Sequence, residues 1–180
     1  MLISKVKAQE LFEMYSPFVF RMAYLITRSK TLADDAVQET FLRIYQKYDL
    51  FDQTKPIQPW ISAITVNVTR NLLRKNKWQV LTDFFPSIRA RDSVEDSYIQ
   101  NETQQALWKL IQVLPVKSKE ILVLRYYAEL QLAEIATILQ IPIGTCKSRL
   151  NCALKHLRKK VSVEKLQLIC EVVNHNEANG

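Results

Sequence analysis

Lys147, Ser148, Arg149, Asn151, Lys155, Arg158 and Lys159 fall on one side of a segment whose other side is apolar. Cys146, Leu150, Ala153 and Leu157 recur at helical spacing, so they face inward and leave the polar set outward. Ammonium, guanidinium and hydroxyl groups on one helix face donate hydrogen bonds to phosphate oxygens and base edges, and such a face suits a DNA major groove. From Ile135 to Val163 no acidic residue occurs, whereas a solvated helix ordinarily mixes its signs. That acid-free run favours a polyanionic partner over the alternative, an ordinary helical pair with a solvated basic face.

Two further groups carry potential chemistry. Between Asp52 and Asp83 no acid appears, yet Lys55, Arg70, Arg74, Lys75 and Lys77 do. Asn67 and Asn71 share a helical face with Arg70, Arg74 and Lys75, and Trp60 and Trp78 bracket the stretch. The other group is of opposite sign: Asp34, Asp35, Gln38 and Glu39 form an acidic, hydrogen-bond-accepting stripe. Such a stripe suits docking on a basic helical partner, giving orientation and association rate more than raw affinity. A plain solvated face is the alternative. Cys146, Cys152 and Cys170 form no Cys-x-x-Cys pair, and His156 and His175 complete no metal-ligand set. No nucleophile with its base and no phosphate loop is present, so neither an enzyme nor a cofactor is expected.

Helices must position these groups. Residues 6 to 27 read as a helix with a break or bend near Pro17, with Leu11, Met14, Tyr15, Phe18, Met22 and Leu25 apolar at helical intervals. Thr31 and Asp34 form a candidate capping box for the next helix. Its inner stripe is Ala33, Ala36, Val37, Thr40, Phe41, Ile44, Tyr45 and Tyr48. After a loop from Phe51 to Pro59, a third helix begins near Trp60, buries Ile61, Ile64, Val68 and Leu72, and ends at Trp78. Residues 79–102 hold no sustained periodicity and turn acidic, which marks a flexible linker; it includes the apolar Phe84-Phe85-Pro86.

From Thr103 the helical signal returns, and Pro115 can open a helix at its first turn. A helix then ends near Gln140, Pro142 forbids its continuation, and Gly144-Thr145 restarts the chain as a new helix. The expectation is an all-α chain of two small helical domains, residues 1–78 and 103–160, with a tail at 161–180. In that tail Val163, Leu166, Ile169 and Val173 keep helical spacing, which fits a capping helix or a regulatory element.

The chain has 180 residues and a net charge of +7, distributed as basic, acidic, basic. That alternation suggests two nucleic-acid-facing modules joined by a linker that avoids DNA. No stretch is apolar for long enough to span a bilayer and the N-terminus lacks a secretory pattern, so a cytoplasmic location is expected.

From about residue 10 to residue 160 the chain resembles the extracytoplasmic-function class, group four, of the sigma-70 family of bacterial transcription initiation factors. Ala33-Asp34-Asp35-Ala36-Val37-Gln38-Glu39-Thr40-Phe41 is similar to that family's region 2.2 helix. Trp60-Ile61, Ile64, Asn67, Asn71 and Arg74 fall at the spacing of its promoter-reading helix. Leu114-Pro115, Leu124-Arg125-Tyr126, Glu134-Ile135-Ala136 and Ile141 through Leu150 resemble its region 4, the helix-turn-helix. The resemblance implies that region 2 occupies residues 1–78 and region 4 residues 103–160. It implies core RNA polymerase as a partner, through the β′ clamp helices and the β flap, with Asp34, Asp35, Gln38 and Glu39 at the clamp.

Promoter DNA is the second implied partner. Trp60, Asn67, Arg70, Asn71, Arg74 and Lys75 would serve the −10 element, and Thr145, Lys147, Ser148, Arg149, Lys155 and Arg158 the −35 element. Stacking on Trp60 and the Phe51–Pro59 loop would hold unpaired bases; core packing is the other reading of Trp60. The first turns of a recognition helix enter the groove deepest, which makes Arg149 the candidate for a base contact and Lys155 and Arg158 phosphate anchors. The resemblance also implies an anti-sigma factor, often membrane-anchored.

The chain departs from the family at several points. Asn71 replaces the usual Asp, Gln140 a common glycine and Cys146 a common valine, and Gln131-Leu132-Ala133 lacks the usual hydroxyl cap. A stand-alone dimeric helix-turn-helix regulator, or an antagonist that occupies polymerase without initiating, are the rival readings.

Overall fold

A computed structural model of the chain describes residues 3–82, 111 and 114–158, with side chains described for 3–76, 111 and 114–158. Contacts divide the chain into two compact units, Met1–Ser93 and Val94–Gly180. Every regular element among the described residues is helical, as the sequence predicts.

In the first unit, α1 spans Lys5–Thr27 and is capped by Ser4, whose Oγ accepts from the Lys7 N–H at 3.2 Å. The helix runs unbroken through Pro17, so of the expected break or bend the break does not occur. Pro17 and Glu13 are both exposed, so water rather than the core meets the Glu13 carbonyl that the missing N–H leaves unbonded. Leu11 on one side of Pro17, and Val19, Met22 and Ala23 on the other, are all buried, so the core holds both halves of the helix. Arg28 closes α1 in the left-handed region at φ 62°, with its N–H on the Tyr24 carbonyl.

Helix α2, Lys30–Lys47, is capped by Ser29, whose Oγ accepts from the Leu32 N–H at 3.2 Å. Thr31 therefore lies inside the first turn, and the capping box expected of Thr31 and Asp34 does not form. A 3-10 turn at Tyr48–Leu50 and a short loop lead to α3, Ile57–Thr82. This helix starts ahead of Trp60 and continues past Trp78, outrunning the expected bounds at both ends. Pro59 is tolerated because a first-turn N–H has no helical partner to lose.

Leu11, Val19, Phe41, Ile44 and Ile61 make the main core of this three-helix unit, each large side chain contributing about 1.5–3 kcal/mol on burial. A second cluster, Ala23, Ala33, Ala36 and Val68, joins the helices through small side chains. α3 also buries Ser62, Thr65 and Thr69, which the apolar stripe did not foretell. The Thr65 hydroxyl donates to the Ile61 carbonyl at 2.9 Å, and that of Thr69 to the Thr65 carbonyl at 2.7 Å. Thr40 Oγ1 and Ser62 Oγ have no hydrogen-bond partner among the described residues.

In the second unit, Pro115 stands just ahead of α4, Val116–Leu122, which continues as a π-helical turn at Val123–Tyr127. The chain reverses through Glu129 at φ 55°, and Arg125 Nη1 secures the reversal by donating to the Leu130 carbonyl at 3.0 Å. Helix α5, Leu132–Leu139, has no hydroxyl cap, yet its start is fixed because the Gln131 N–H donates to Glu134 Oε2 at 2.7 Å.

The turn after α5 differs from the sequence expectation. Gln140, not glycine, adopts the left-handed conformation at φ 54° and ψ 47°. The Ile141 N–H returns to the Ala136 carbonyl at 3.0 Å, which closes the helix end. Helix α6, Ile143–Arg158, then starts directly after Pro142, so Gly144 lies inside the first turn instead of beginning it. Gly144 has no positive φ, and a Cβ built there meets nothing within 4 Å. Ile121, Leu124, Ile135, Leu139 and the inward residues of α6 form the core. The expectations for the linker beyond Thr82, for residues 103–110 and for the tail lie outside the described residues.

Candidate functional site

Helix α2 turns Ala33, Ala36, Thr40, Phe41 and Ile44 inward and leaves Asp34, Asp35 and Gln38 exposed. Glu39 is half-buried and already engaged: Arg43 Nη2 and Nε each lie 2.8 Å from its Oε1. The free acidic surface is thus narrower than the four residues suggest. Leu42, one turn beyond Gln38 and two beyond Asp35, is 55% exposed and lies on the same face. Charge and hydrogen-bonding chemistry alone do not point to Leu42. Its place between inward Phe41 and outward Arg43, off the buried stripe, was the available signal.

Trp60 is half-buried, its ring centroid 4.9 Å from that of Phe51 and 6.5 Å from that of Tyr48. It therefore belongs to the edge of the core while keeping part of its ring at the surface. The adjoining loop has a defined shape. Asp52 Oδ1 accepts from the Thr54 hydroxyl at 2.6 Å and from the Thr54 N–H at 3.1 Å. The Thr54 hydroxyl, then its N–H, hold the Asp52 carboxyl below its ordinary value. Leu50, at the loop's entrance, is 79% exposed.

Farther along α3, Asn67, Asn71, Arg74 and Lys75 are exposed and Arg70 is half-buried. Asn67, Asn71 and Arg74 succeed each other at spacings of four and three residues, which puts them in one line that Trp60 extends. Arg74 Nη2 donates to Asn71 Oδ1 at 3.1 Å. The side chains of Lys77 and Trp78 lie outside those described.

Helix α6 buries Cys146, Leu150, Ala153 and Leu157 and exposes Lys147, Ser148, Asn151, Lys155 and Arg158, with Thr145 and Arg149 half-buried. Burial pushes the Cys146 thiol up from its ordinary value, and the nearby Arg149 charge opposes that shift. Cys152, on a different side of α6, is exposed. Lys159 lies beyond the described residues. No group of three or more His, Cys, Asp and Glu among the described residues could hold a metal ion. No helix among them is long and apolar enough to cross a membrane. The arrangement can bind anions on α3 and α6 and a partner's cations on α2.

Known proteins resemble the chain over most of its length. The Sigma-70 region 2 family matches residues 11–79, and the Sigma-70, region 4 family matches residues 104–157. The ECF RNA polymerase sigma factor SigW of Bacillus subtilis is 30% identical over 164 residues, spanning 84% of this chain and 87% of that protein. SigM of the same organism, also an ECF RNA polymerase sigma factor, is 31% identical over 150 residues, spanning 83% and 91%. Among solved structures, the sigma factor RpoE of Bartonella quintana, in complex with the anti-sigma factor NepR, superposes with a TM-score of 0.67. It covers 89% of this chain and 99% of its own at 24% identity, a likeness of fold.

Proposed function

Because this chain belongs to the sigma-70 family, as an RNA polymerase sigma factor of the extracytoplasmic-function type, we propose that its three surface groups divide the work of transcription initiation. The protein binds core RNA polymerase and promoter DNA and promotes initiation; the family is regulatory and non-catalytic. On this reading Asp34, Asp35, Gln38 and Glu39 meet the β′ clamp helices, and exposed Leu42 supplies the apolar anchor within that acidic stripe. The line of Trp60, Asn67, Asn71 and Arg74, with Arg70 and Lys75 beside it, faces the −10 element. Its amides read base edges while its cations hold phosphates. Thr145, Lys147, Ser148 and Arg149 enter the −35 major groove, and Lys155 and Arg158 anchor the backbone. Residues 1–78 and 103–160 are then regions 2 and 4, joined by a linker at 79–102 and followed by the tail at 161–180.

The observation that carries the −35 assignment is α6 itself. Its inward side is closed by buried Cys146, Leu150, Ala153 and Leu157, so its cationic outward side is committed to a partner or to water. The acid-free sequence favours a polyanion. Sigma factors work beside the chromosome, which supports a cytoplasmic location for this chain. The anti-sigma factor NepR bound to the Bartonella quintana sigma factor supports an anti-sigma partner here as well.

The test is to reconstitute the chain with bacterial core polymerase, transcribe cognate genomic DNA and sequence the products. Discrete starts preceded by two shared elements at fixed spacing are expected. Asp35→Lys with Leu42→Ser should abolish polymerase binding while leaving the helical fold intact. Polymerase binding without specific starts would overturn the promoter-reading assignment, and binding that survives the double variant would overturn the α2 assignment.

A further inference from the structure

Asn151 differs in chemistry from the other outward residues of α6. It is exposed, and it stands four residues after Lys147, three after Ser148 and four before Lys155, so one strip of the helix surface holds all four. It therefore lies between the end of α6 that enters the groove and the cation that anchors the backbone. Buried Cys146, Leu150, Ala153 and Leu157 fix how α6 is turned about its axis against α4 and α5, which keeps Asn151 on that strip. Lys147 and Lys155, like Arg149 and Arg158, carry donors only. Such groups suit phosphates, and guanine, whose major-groove edge shows two acceptors, N7 and O6. Ser148 offers a single hydroxyl. Asn151 sets an accepting oxygen and a donating amino group side by side on one planar amide.

We propose that Asn151 selects adenine at one position of the −35 element, its amide accepting from N6 and donating to N7 of the same base. The inference rests on the −35 assignment of α6 and deepens it by naming a base. Adenine is the one base whose own major-groove edge shows a donor beside an acceptor. Against guanine the amide oxygen would face O6, acceptor against acceptor. Cytosine and thymine each offer one polar group, N4 or O4, so at most one of the two bonds forms. A bidentate pair of this kind favours its base by about five- to 100-fold.

The experiment uses reconstituted holoenzyme and a promoter found by transcript sequencing, with each of the four base pairs placed in turn at every −35 position. The unaltered protein should prefer adenine at one position, on one strand, by about five- to 100-fold. Asn151→Ala should level that position and leave the preferences at the other −35 positions in place. Asn151→Asp removes the donor to N7 and keeps the acceptor, so adenine should lose its advantage over cytosine, whose N4 amino group also donates. Asn151 is exposed; far-UV circular dichroism and binding to core polymerase check that the variants fold and assemble. Asn151→Ala that weakens every template equally, with the adenine preference unmoved, would overturn the inference. So would an unaltered protein with −35 preferences but none for adenine. If no −35 position matters to the unaltered protein, the −35 assignment itself falls and the inference with it, which distinguishes the two failures.

Discussion

Transferring the turn's glycine from position 144 to position 140 should stabilise the second unit. Gln140 sits at φ 54° and ψ 47°, where a side chain crowds the backbone. Left-handed backbone costs an ordinary residue about 1–2 kcal/mol, and glycine gives back about 0.4–1 kcal/mol through its freer unfolded chain. Gln140→Gly therefore gains about 0.5–1 kcal/mol. The Gln140 side chain is exposed, and both backbone bonds that close α5 survive the change. Gly144 is the converse case. With no positive φ and open space where its Cβ would stand, it carries the entropic cost of a helical glycine without using its freedom. Gly144→Ala should gain about 0.5–1 kcal/mol. The two positions share no described hydrogen bond, so the double variant should gain roughly 1–2 kcal/mol. For a domain of this size that raises the melting temperature by about 5–10 °C. Urea unfolding with an unchanged slope measures the gain, and peptide-resolved hydrogen exchange across α5 and α6 localises it. A Gly144→Ala protein less stable than the original would refute the reasoning, since position 144 would then need a backbone that only glycine adopts.

Other outcomes follow from single observations. Thr40→Val keeps the shape of a fully buried side chain while removing a hydroxyl without a described partner, so the first unit should gain about 1–2 kcal/mol in urea unfolding. Iodoacetamide followed by peptide mass mapping should label exposed Cys152 quickly and buried Cys146 only on unfolding. Burial raises the folded-state value of the Cys146 thiol, so its contribution to stability is complete below the ordinary thiol range and is lost as pH climbs through the folded-state value. A Cys146→Ala protein should show a flatter alkaline limb in a stability–pH profile. Arg149→Ala should cost about 1–3 kcal/mol on −35 duplex and relax selectivity at one base pair. Lys155→Ala should weaken all sequences alike and reduce the salt slope by about one; selective loss from Lys155→Ala would contradict its assignment to phosphate.

The helical class and the alternation of buried and exposed sides were legible because both follow from 3.6-residue periodicity. Cys146, Leu150, Ala153 and Leu157 lie inward as their spacing requires, and Asp34, Asp35 and Gln38 lie outward. Helix ends were less legible, since several nearby residues compete to cap. Ser29 displaces Thr31, Glu134 supplies from inside the helix what no hydroxyl supplies in front of it, and Gln140 tolerates a conformation usually left to glycine. Pro17 does not end its helix, because its effect depends on which face the orphaned carbonyl meets, and Pro17 and Glu13 are exposed to water. Ser62, Thr65 and Thr69 count as polar in any periodic pattern, yet Thr65 and Thr69 satisfy their hydroxyls within α3 and become core. Leu42 is the complementary omission at the site. An exposed leucine among acids is invisible to a search for charge.

Each unit holds its own hydrophobic centre, and this has a genetic consequence. On the assignments proposed above, a lesion that melts α4–α6 and spares the separate core of the first unit gives a product that still occupies polymerase through the α2 stripe while reading no −35 element. Such alleles should be dominant: in a cell carrying both copies, the damaged chain competes for a shared and limited enzyme. A lesion in the core built on Phe41, Ile44 and Ile61 removes the stripe itself, and its product has nothing with which to compete. Those alleles should be recessive. The same loss of activity would thus segregate in two ways, according to which of the two centres the substitution enters.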